Sequence, residues 1–186
     1  MAKQKQRQIS LALQGGGAHG AYTWGVLDRL IEEDDLEIQA ISATSAGAMN
    51  AVAFSAGMAE NGVQGAKDTL EALWQGISKS SRNVTPYGAL SPIVFAYASA
   101  MSSLASPYDL NPFNINPLRD VVEQVIDFSK VDESGIQLFL SATNVESGHV
   151  TVFSDGDISL DAVLASACLP QTFKAVEIDG QAYWDG

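Results

Sequence analysis

Two short motifs carry residue types that can do chemistry. The first, Gly15-Gly-Gly-Ala-His-Gly20, follows the apolar run of residues 9–14, and the second, Ala43-Thr-Ser-Ala-Gly47, closes another apolar run further on. A serine hydroxyl is a weak nucleophile until a neighbouring base takes its proton, so it must project from a tight turn that base and substrate can both reach. Ser45 is placed for that role, as the centre of a nucleophile elbow. Ala43 and Gly47 are small enough to let a strand and the following helix approach, and Thr44 and Ala46 fill the positions between. Alanine stands where Gly-x-Ser-x-Gly has its first glycine, which the turn tolerates if Ala43 stays extended. The glycine motif supplies the complement. Attack on a carbonyl carbon puts negative charge on its oxygen, and backbone N–H groups at Gly15, Gly16 and Gly17 can meet that charge with no side chain in the way.

Other readings of the same residues are weaker. No Lys-Ser or Lys-Thr pair follows the glycines, so the loop is not a Walker phosphate loop. Gly15-x-Gly17-x-x-Gly20 does satisfy the dinucleotide pattern. However, the second apolar run ends in Ser42-Ala43-Thr44-Ser45 and not in the acidic residue that would hold a ribose. A base for Ser45 is offered by Asp185, which follows residues 176–184; these read as a hairpin turning at Asp179-Gly180. The competing base is a histidine. A Ser-Asp-His order needs a histidine after Ser45, and only His149 lies there, preceded by Asp109, Asp120, Asp127 and Asp132. His19 lies within the glycine loop and reads as a local packing or capping residue. Neither histidine has an acid or cysteine at metal-ligand spacing, and Asp155-Gly-Asp157 has too few carboxylates after it for a calcium loop, so neither a metal nor a cofactor is implied.

Three separated blocks in order, Gly15-Gly-Gly-Ala-His-Gly20, Thr44-Ser-Ala-Gly-Ala48 and Ala165-Ser-Ala-Cys-Leu-Pro-Gln-Thr-Phe173 followed by Tyr183-Trp-Asp-Gly186, resemble the patatin-like phospholipase family. The resemblance runs from about residue 9 to the last residue and is weak over residues 80–135. It implies a three-layer α/β fold with a mainly parallel central sheet flanked by helices and the elbow between a strand and a helix. It also implies a catalytic dyad of Ser45 and Asp185, with Gly15, Gly16 and Gly17 forming the oxyanion hole. The activity implied is hydrolysis of fatty acyl esters of phospholipids or related lipids. Family members continue well beyond the Asp-Gly turn, which implies that a C-terminal part is missing here. The alternative is a noncatalytic protein that binds a lipid or acyl ligand, or a hydrolase fragment inactivated by truncation.

The elements that must position these residues fit an α/β frame. Residues 18–33 carry a helical apolar stripe at Tyr22, Val26, Leu27, Leu30 and Ile31, and residues 38–42 read as a short buried strand. Residues 46–59 form an almost uncharged helix whose N-terminus lies beside Ser45, where its dipole favours negative charge. Helices are expected over 64–78, 118–126 and 160–166, and strands over 137–143 and 150–153. Residues 86–117 differ: they hold five of the six prolines and a single charged residue, Asp109. Their apolar stretches at 93–97 and 101–104 suit either a lid or lipid-contacting cap over the site, or a buried helix that completes the core.

Whole-chain properties set the bounds. The 186 residues suffice for one domain, expected over 9–186 behind a flexible basic tail at 1–8. Ten Lys and Arg against 22 Asp and Glu give a formal charge of −12. That argues against nucleic acid as a partner and against an anionic membrane, so the expected partner is a lipid or acyl ester met by local, transient apolar contact with a membrane surface. The tail lacks the apolar core of a signal peptide, and no stretch reaches the eighteen or so apolar residues of a membrane span. A lone cysteine, Cys168, makes an internal disulfide impossible and reads as buried packing. A cytoplasmic protein, peripheral at a membrane when it meets lipid, is the expectation; oligomeric state is not legible.

Overall fold

A computed structural model describes residues 6–84, 106–111 and 113–185. In chain order these form β1 (Arg7–Leu13), α1 (Gly20–Leu30), β2 (Leu36–Thr44), the long helix α2 (Ala46–Val84), α3 (Pro117–Val125), β3 (Gln137–Asn144), β4 (Val150–Ser154), α4 (Leu160–Ser166), β5 (Val176–Ile178) and β6 (Gln181–Trp184). Short 3-10 turns at Gly17–His19, Phe128–Ser134 and Asp155–Asp157, and one helical turn at Pro107–Leu110, complete the elements. β1 starts at Arg7, so Arg7 and Gln8 belong to the sheet and not to the tail. The two helices expected over 46–59 and 64–78 are the arms of α2, separated by a break at Asn61 and Gly62, where Gly62 has φ 57°.

The sheet order is β1-β2-β3-β6-β5, with β4 also paired to β3. β1, β2 and β3 are parallel, whereas β3 pairs antiparallel with β4 and β6, and β5 with β6. The expected mainly parallel sheet is therefore parallel through the strands that carry the two motifs and mixed as a whole. The reason is local. β3 and β4 are separated only by residues 145–149, and β5 and β6 by Asp179-Gly180, whose φ values of 51° and 75° suit a two-residue hairpin turn. Links this short can only reverse the chain, since a parallel neighbour needs a crossover of a dozen residues or more.

One consequence of the register governs the site. β3 has two edges, and β4 occupies one of them, with Thr143 opposite Val150. β2 takes the other edge as far as Thr44 opposite Ser141, and β6 takes up that same edge with Trp184 opposite Thr143 and Tyr183 opposite Asn144. The two strands thus run toward each other and stop on either side of Ala142. The next residue of each is Ser45 and Asp185.

The helices build the core on one face of this sheet. The first arm of α2 is uncharged as far as Ala59 and correspondingly buried, with Ala46, Ala48, Ala51, Val52 and Ala53 at 0% exposure. It packs on β1, β2 and β3, α4 packs on β3, β5 and β6, and α1 and α3 lie outside α2. Among the described residues the result is an α/β fold of three layers: the sheet, an inner layer of the first arm of α2 with α4, and an outer layer of α1 and α3. The opposite face, bearing Ser10, Ala12, Ser42, Phe139 and Val152, is exposed among the described residues. Of the region proposed as a lid or core helix, 86–105 and 112 lie outside the described residues. The described part is the turn at Pro107–Leu110, capped by Ser106, and the start of α3, capped by the Asn116 side chain with Pro117 in its first turn.

The arms of α2 fold back on one another through glycines. A Cβ on Gly57 would overlap the carbonyl of Gly65, and one on Gly65 would overlap the carbonyl of Gly57. Gly57→Ala or Gly65→Ala is expected to destabilise the fold by about 2 kcal/mol or more through backbone overlap. Gly25→Ala, in α1 with nothing within 4 Å of the added methyl, is expected to stabilise it by about 0.5–1 kcal/mol through helix propensity. Urea denaturation of the three variants checks both signs.

Candidate active site

Ser45 sits on the turn between β2 and α2 with φ 54°, a left-handed conformation uncommon for a serine. Ala43 remains within the strand, 7% exposed, and satisfies the extended geometry required of an alanine there. Gly47 is needed for contact: a Cβ on it would overlap the carbonyl of Leu13 at the end of β1. The backbone N–H of Ser45 donates to Ser166 Oγ at 2.9 Å, and the Ser45 carbonyl accepts from Met49 N–H at 3.2 Å, the first turn of α2.

Asp185 arrives from β6. Its N–H donates to the Cys168 carbonyl at 2.9 Å, and its Oδ2 accepts the Ser45 hydroxyl at 2.6 Å. That length falls in the range of a hydroxyl donating to an ionised carboxylate. β6 itself is anchored by an edge-on contact between Tyr183 and Phe153, with ring centroids 5.4 Å apart, and by Asn144 Nδ2 donating to Gln181 Oε1 at 3.0 Å.

The glycine loop lies against the serine. A Cβ on Gly15 would stand 2.9 Å from Ser45 Cβ, and Gly16 and Gly17 hold φ values of 147° and 56°, which only glycine adopts without strain. His19 bonds within the loop, its Nδ1 3.1 Å from the Gly16 carbonyl, in keeping with local capping. Behind the loop, Asn50 is fully buried. It donates to the Gly20 carbonyl at 3.0 Å and accepts from Trp74 Nε1 at 2.9 Å, so the second arm of α2, through the first, fastens the start of α1. His149 is exposed in the β3–β4 connection, and its ring makes no hydrogen bond among the described residues. Among the described residues no cluster of three or more His, Cys, Asp or Glu could hold a metal ion.

Beside Ser45 and Gly17 opens a cavity of about 1210 Å³, lined mainly by Trp24, Met49, Trp74, Ile77, Leu118 and Phe173, with Leu169 half exposed at its lip. Among the described residues no carboxylate lines it, although acids outnumber bases two to one over the chain. Sequence reasoning did not single out Ser166, Asn50 or this lining. Only the block around residues 165–173 carried a signal, and within it Cys168 was read as packing. It is 1% exposed, and its thiol donates to the Lys174 carbonyl at 3.1 Å.

The arrangement defines a class: an α/β protein with a serine–aspartate pair on a strand-to-helix turn, under a glycine loop and beside an apolar cavity. The sequence model of the patatin-like phospholipase family matches residues 11–186, and the chain belongs to that family. Among solved structures it is similar in fold to VipD from Legionella pneumophila, at 15% identity and a TM-score of 0.54, over 100% of this chain and 46% of that one. A second match is to the complex of full-length SpcU with full-length ExoU from the type III secretion system of Pseudomonas aeruginosa. There the identity is 18% and the TM-score 0.40, over 88% of this chain and 39% of that one. This chain therefore spans less than half the length of either. A comparison with curated proteins gives no match.

Burial, and secondarily the charge of Asp185, pushes the Cys168 thiol up to about 11, against an ordinary value near 9, with a hydrogen bond from Val176 opposing. Between those values the unfolded chain releases the thiol proton while the folded chain keeps it, so stability falls as pH rises from about 9 to about 11. The loss is on the order of 3 kcal/mol. Comparing urea midpoints of the native protein and Cys168→Ala from pH 8 to pH 11 should show the native protein losing its advantage over that interval. A constant difference would mean the thiol does not titrate abnormally.

Proposed function

We propose that the chain is a serine acyl hydrolase that cleaves fatty acyl esters of phospholipids or related lipids, with Ser45 as nucleophile and Asp185 as its base. The observation that carries this reading is the 2.6 Å bond from Ser45 Oγ to Asp185 Oδ2, made at the mouth of an apolar cavity. Asp185 takes the hydroxyl proton as Oγ attacks the ester carbonyl carbon. The carbonyl oxygen becomes an oxyanion, which meets the N–H groups of the Gly15–Gly17 loop and the N-terminus of α2. Collapse of the intermediate breaks the bond to the leaving alcohol, which takes the proton from Asp185 and departs, leaving an acyl-serine. Water then attacks the acyl carbon, passing its proton to Asp185, and release of the fatty acid returns a proton to Ser45.

The cavity and its rim support the lipid part of this reading. Its volume lies above the range of about 300–1,000 Å³ usual for small-molecule sites, and its lining suits an acyl chain. At its lip Leu169 is half exposed, and Lys174, next in sequence to the lining residue Phe173, lies over the exposed ring of Tyr108 at 5.5 Å. A net charge of −12 disfavours anionic surfaces. Transient contact with a neutral or zwitterionic lipid surface is the mode these features fit.

The test is covalent labelling with a fluorophosphonate, followed by peptide mass spectrometry and ester hydrolysis. Label confined to Ser45 is expected. Ser45→Ala should lose both label and turnover, Asp185→Asn should lose about 10³-fold or more in kcat, and His149→Ala should keep most activity. An unlabelled native protein that still binds a fatty acid analogue would instead indicate a noncatalytic binding protein. Chain length offers a second check, since each buried methylene contributes about 0.8 kcal/mol. From p-nitrophenyl butyrate to decanoate, kcat/KM is expected to rise more than about tenfold. Ala21→Trp, which narrows the cavity, should flatten that rise.

A further inference from the structure

The segment Ser166-Ala-Cys168, at the end of α4, touches both members of the serine–aspartate pair through their backbones. Ser166 Oγ accepts the Ser45 N–H at 2.9 Å, and the Cys168 carbonyl accepts the Asp185 N–H at 2.9 Å. Ser166 is fully buried, although serine is seldom placed in a core without a hydrogen-bonding task. Ser45, in its left-handed conformation, is the first residue beyond the β2 ladder, and its N–H lies outside both that ladder and the hydrogen bonds of α2. The Ser166 hydroxyl is the group that receives it. The same bond occupies the N–H of the nucleophile itself, which leaves stabilisation of an oxyanion to the glycine loop and the residues after Ser45.

We infer that Ser166 is a positioning residue that holds the Ser45 turn in its reactive conformation, acting with the Cys168 carbonyl to set the separation between the Ser45 hydroxyl and the Asp185 carboxylate. This inference rests on the acyl-hydrolase reading of the pair. Loss of the acceptor strands a partly buried N–H and removes the restraint on φ of Ser45. The effect falls on the reacting geometry and not on the cavity that binds the chain, so kcat should change and KM should not.

The test compares Ser166→Thr with Ser166→Val, which add the same bulk and differ only in the hydroxyl. Turnover of p-nitrophenyl decanoate and the rate of fluorophosphonate labelling are measured with thermal midpoints as a control on folding. The expected result is a kcat and a labelling rate about 10–100-fold lower in the valine variant than in the threonine variant, with KM within about threefold and similar midpoints. Should the added methyl prevent folding, Ser166→Ala against the native protein makes the same comparison without bulk. Equal rates with and without the hydroxyl, in a native protein that labels at Ser45, overturn the positioning role and leave the hydrolase reading intact. A native protein that neither labels nor turns over overturns the hydrolase reading and this inference with it.

Discussion

The structure depends on how one edge of β3 is divided. β4 holds the far edge, so β2 and β6, which run in opposite directions, share the near one and stop on either side of Ala142. Hydrogen-bond register along a strand is strongly specified when one of its faces is buried. Here Leu138, Leu140, Ala142 and Asn144 all face the core. A slip of β2 or β6 by one residue would turn its side chains to the other face and move Ser45 or Asp185 by a residue's length along the edge. The 2.6 Å contact across 140 residues of sequence is thus set by core packing several residues away from it.

The small residues serve the same end. Gly15 lies against Ser45, Gly20 against Ala46 and the ring of Trp74, and Gly47 against the end of β1, so loop, turn and helix meet at near-backbone distance. Among the described residues the cavity beside them carries one charged residue, Lys79. The acids of this strongly acidic chain lie elsewhere, and Asp185 meets Ser45 in surroundings where a carboxylate–hydroxyl bond is stronger than in open water.

What could be read in the sequence was what is local. Ser45 and the glycine loop are legible because their geometry is dictated within five or six residues. Asp185 is legible because an Asp-Gly turn and alternating apolar residues announce the hairpin that delivers it. The helix at residues 160–166 was placed to the residue, since the Ser159 side chain caps it. The antiparallel half of the sheet follows from the short links at residues 145–149 and Asp179-Gly180, whereas no local pattern encodes that β6 takes the edge of β3 that β2 leaves free. Ser166 was missed for a similar reason: its partner lies 121 residues away, and a buried serine in a small-residue run looks like helix packing until the elbow is set beside it. The break in α2 was foreseen as two helices, but their antiparallel packing through Gly57 and Gly65 is visible only in three dimensions.

These long-range ties make the pair a cooperative feature of the fold. Ser45 holds a left-handed conformation that costs of order 1 kcal/mol or more, and the bond that helps offset it comes from α4. Asp185 is delivered by a hairpin whose ladder to β3 is only two residue pairs long, Thr143–Trp184 and Asn144–Tyr183. A ladder that short is marginal alone, so β6 relies on Tyr183 against Phe153, on Gln181 at Asn144, and on the Cys168 carbonyl. Asn144 also accepts from Glu146 N–H, Ser147 N–H and the Ser147 hydroxyl, so one side chain closes the β3–β4 turn and steadies β6. Disturbing Asn144 would therefore loosen the aspartate without touching it, and the chemistry of the pair is governed as much by the order of this hairpin as by the two side chains that meet.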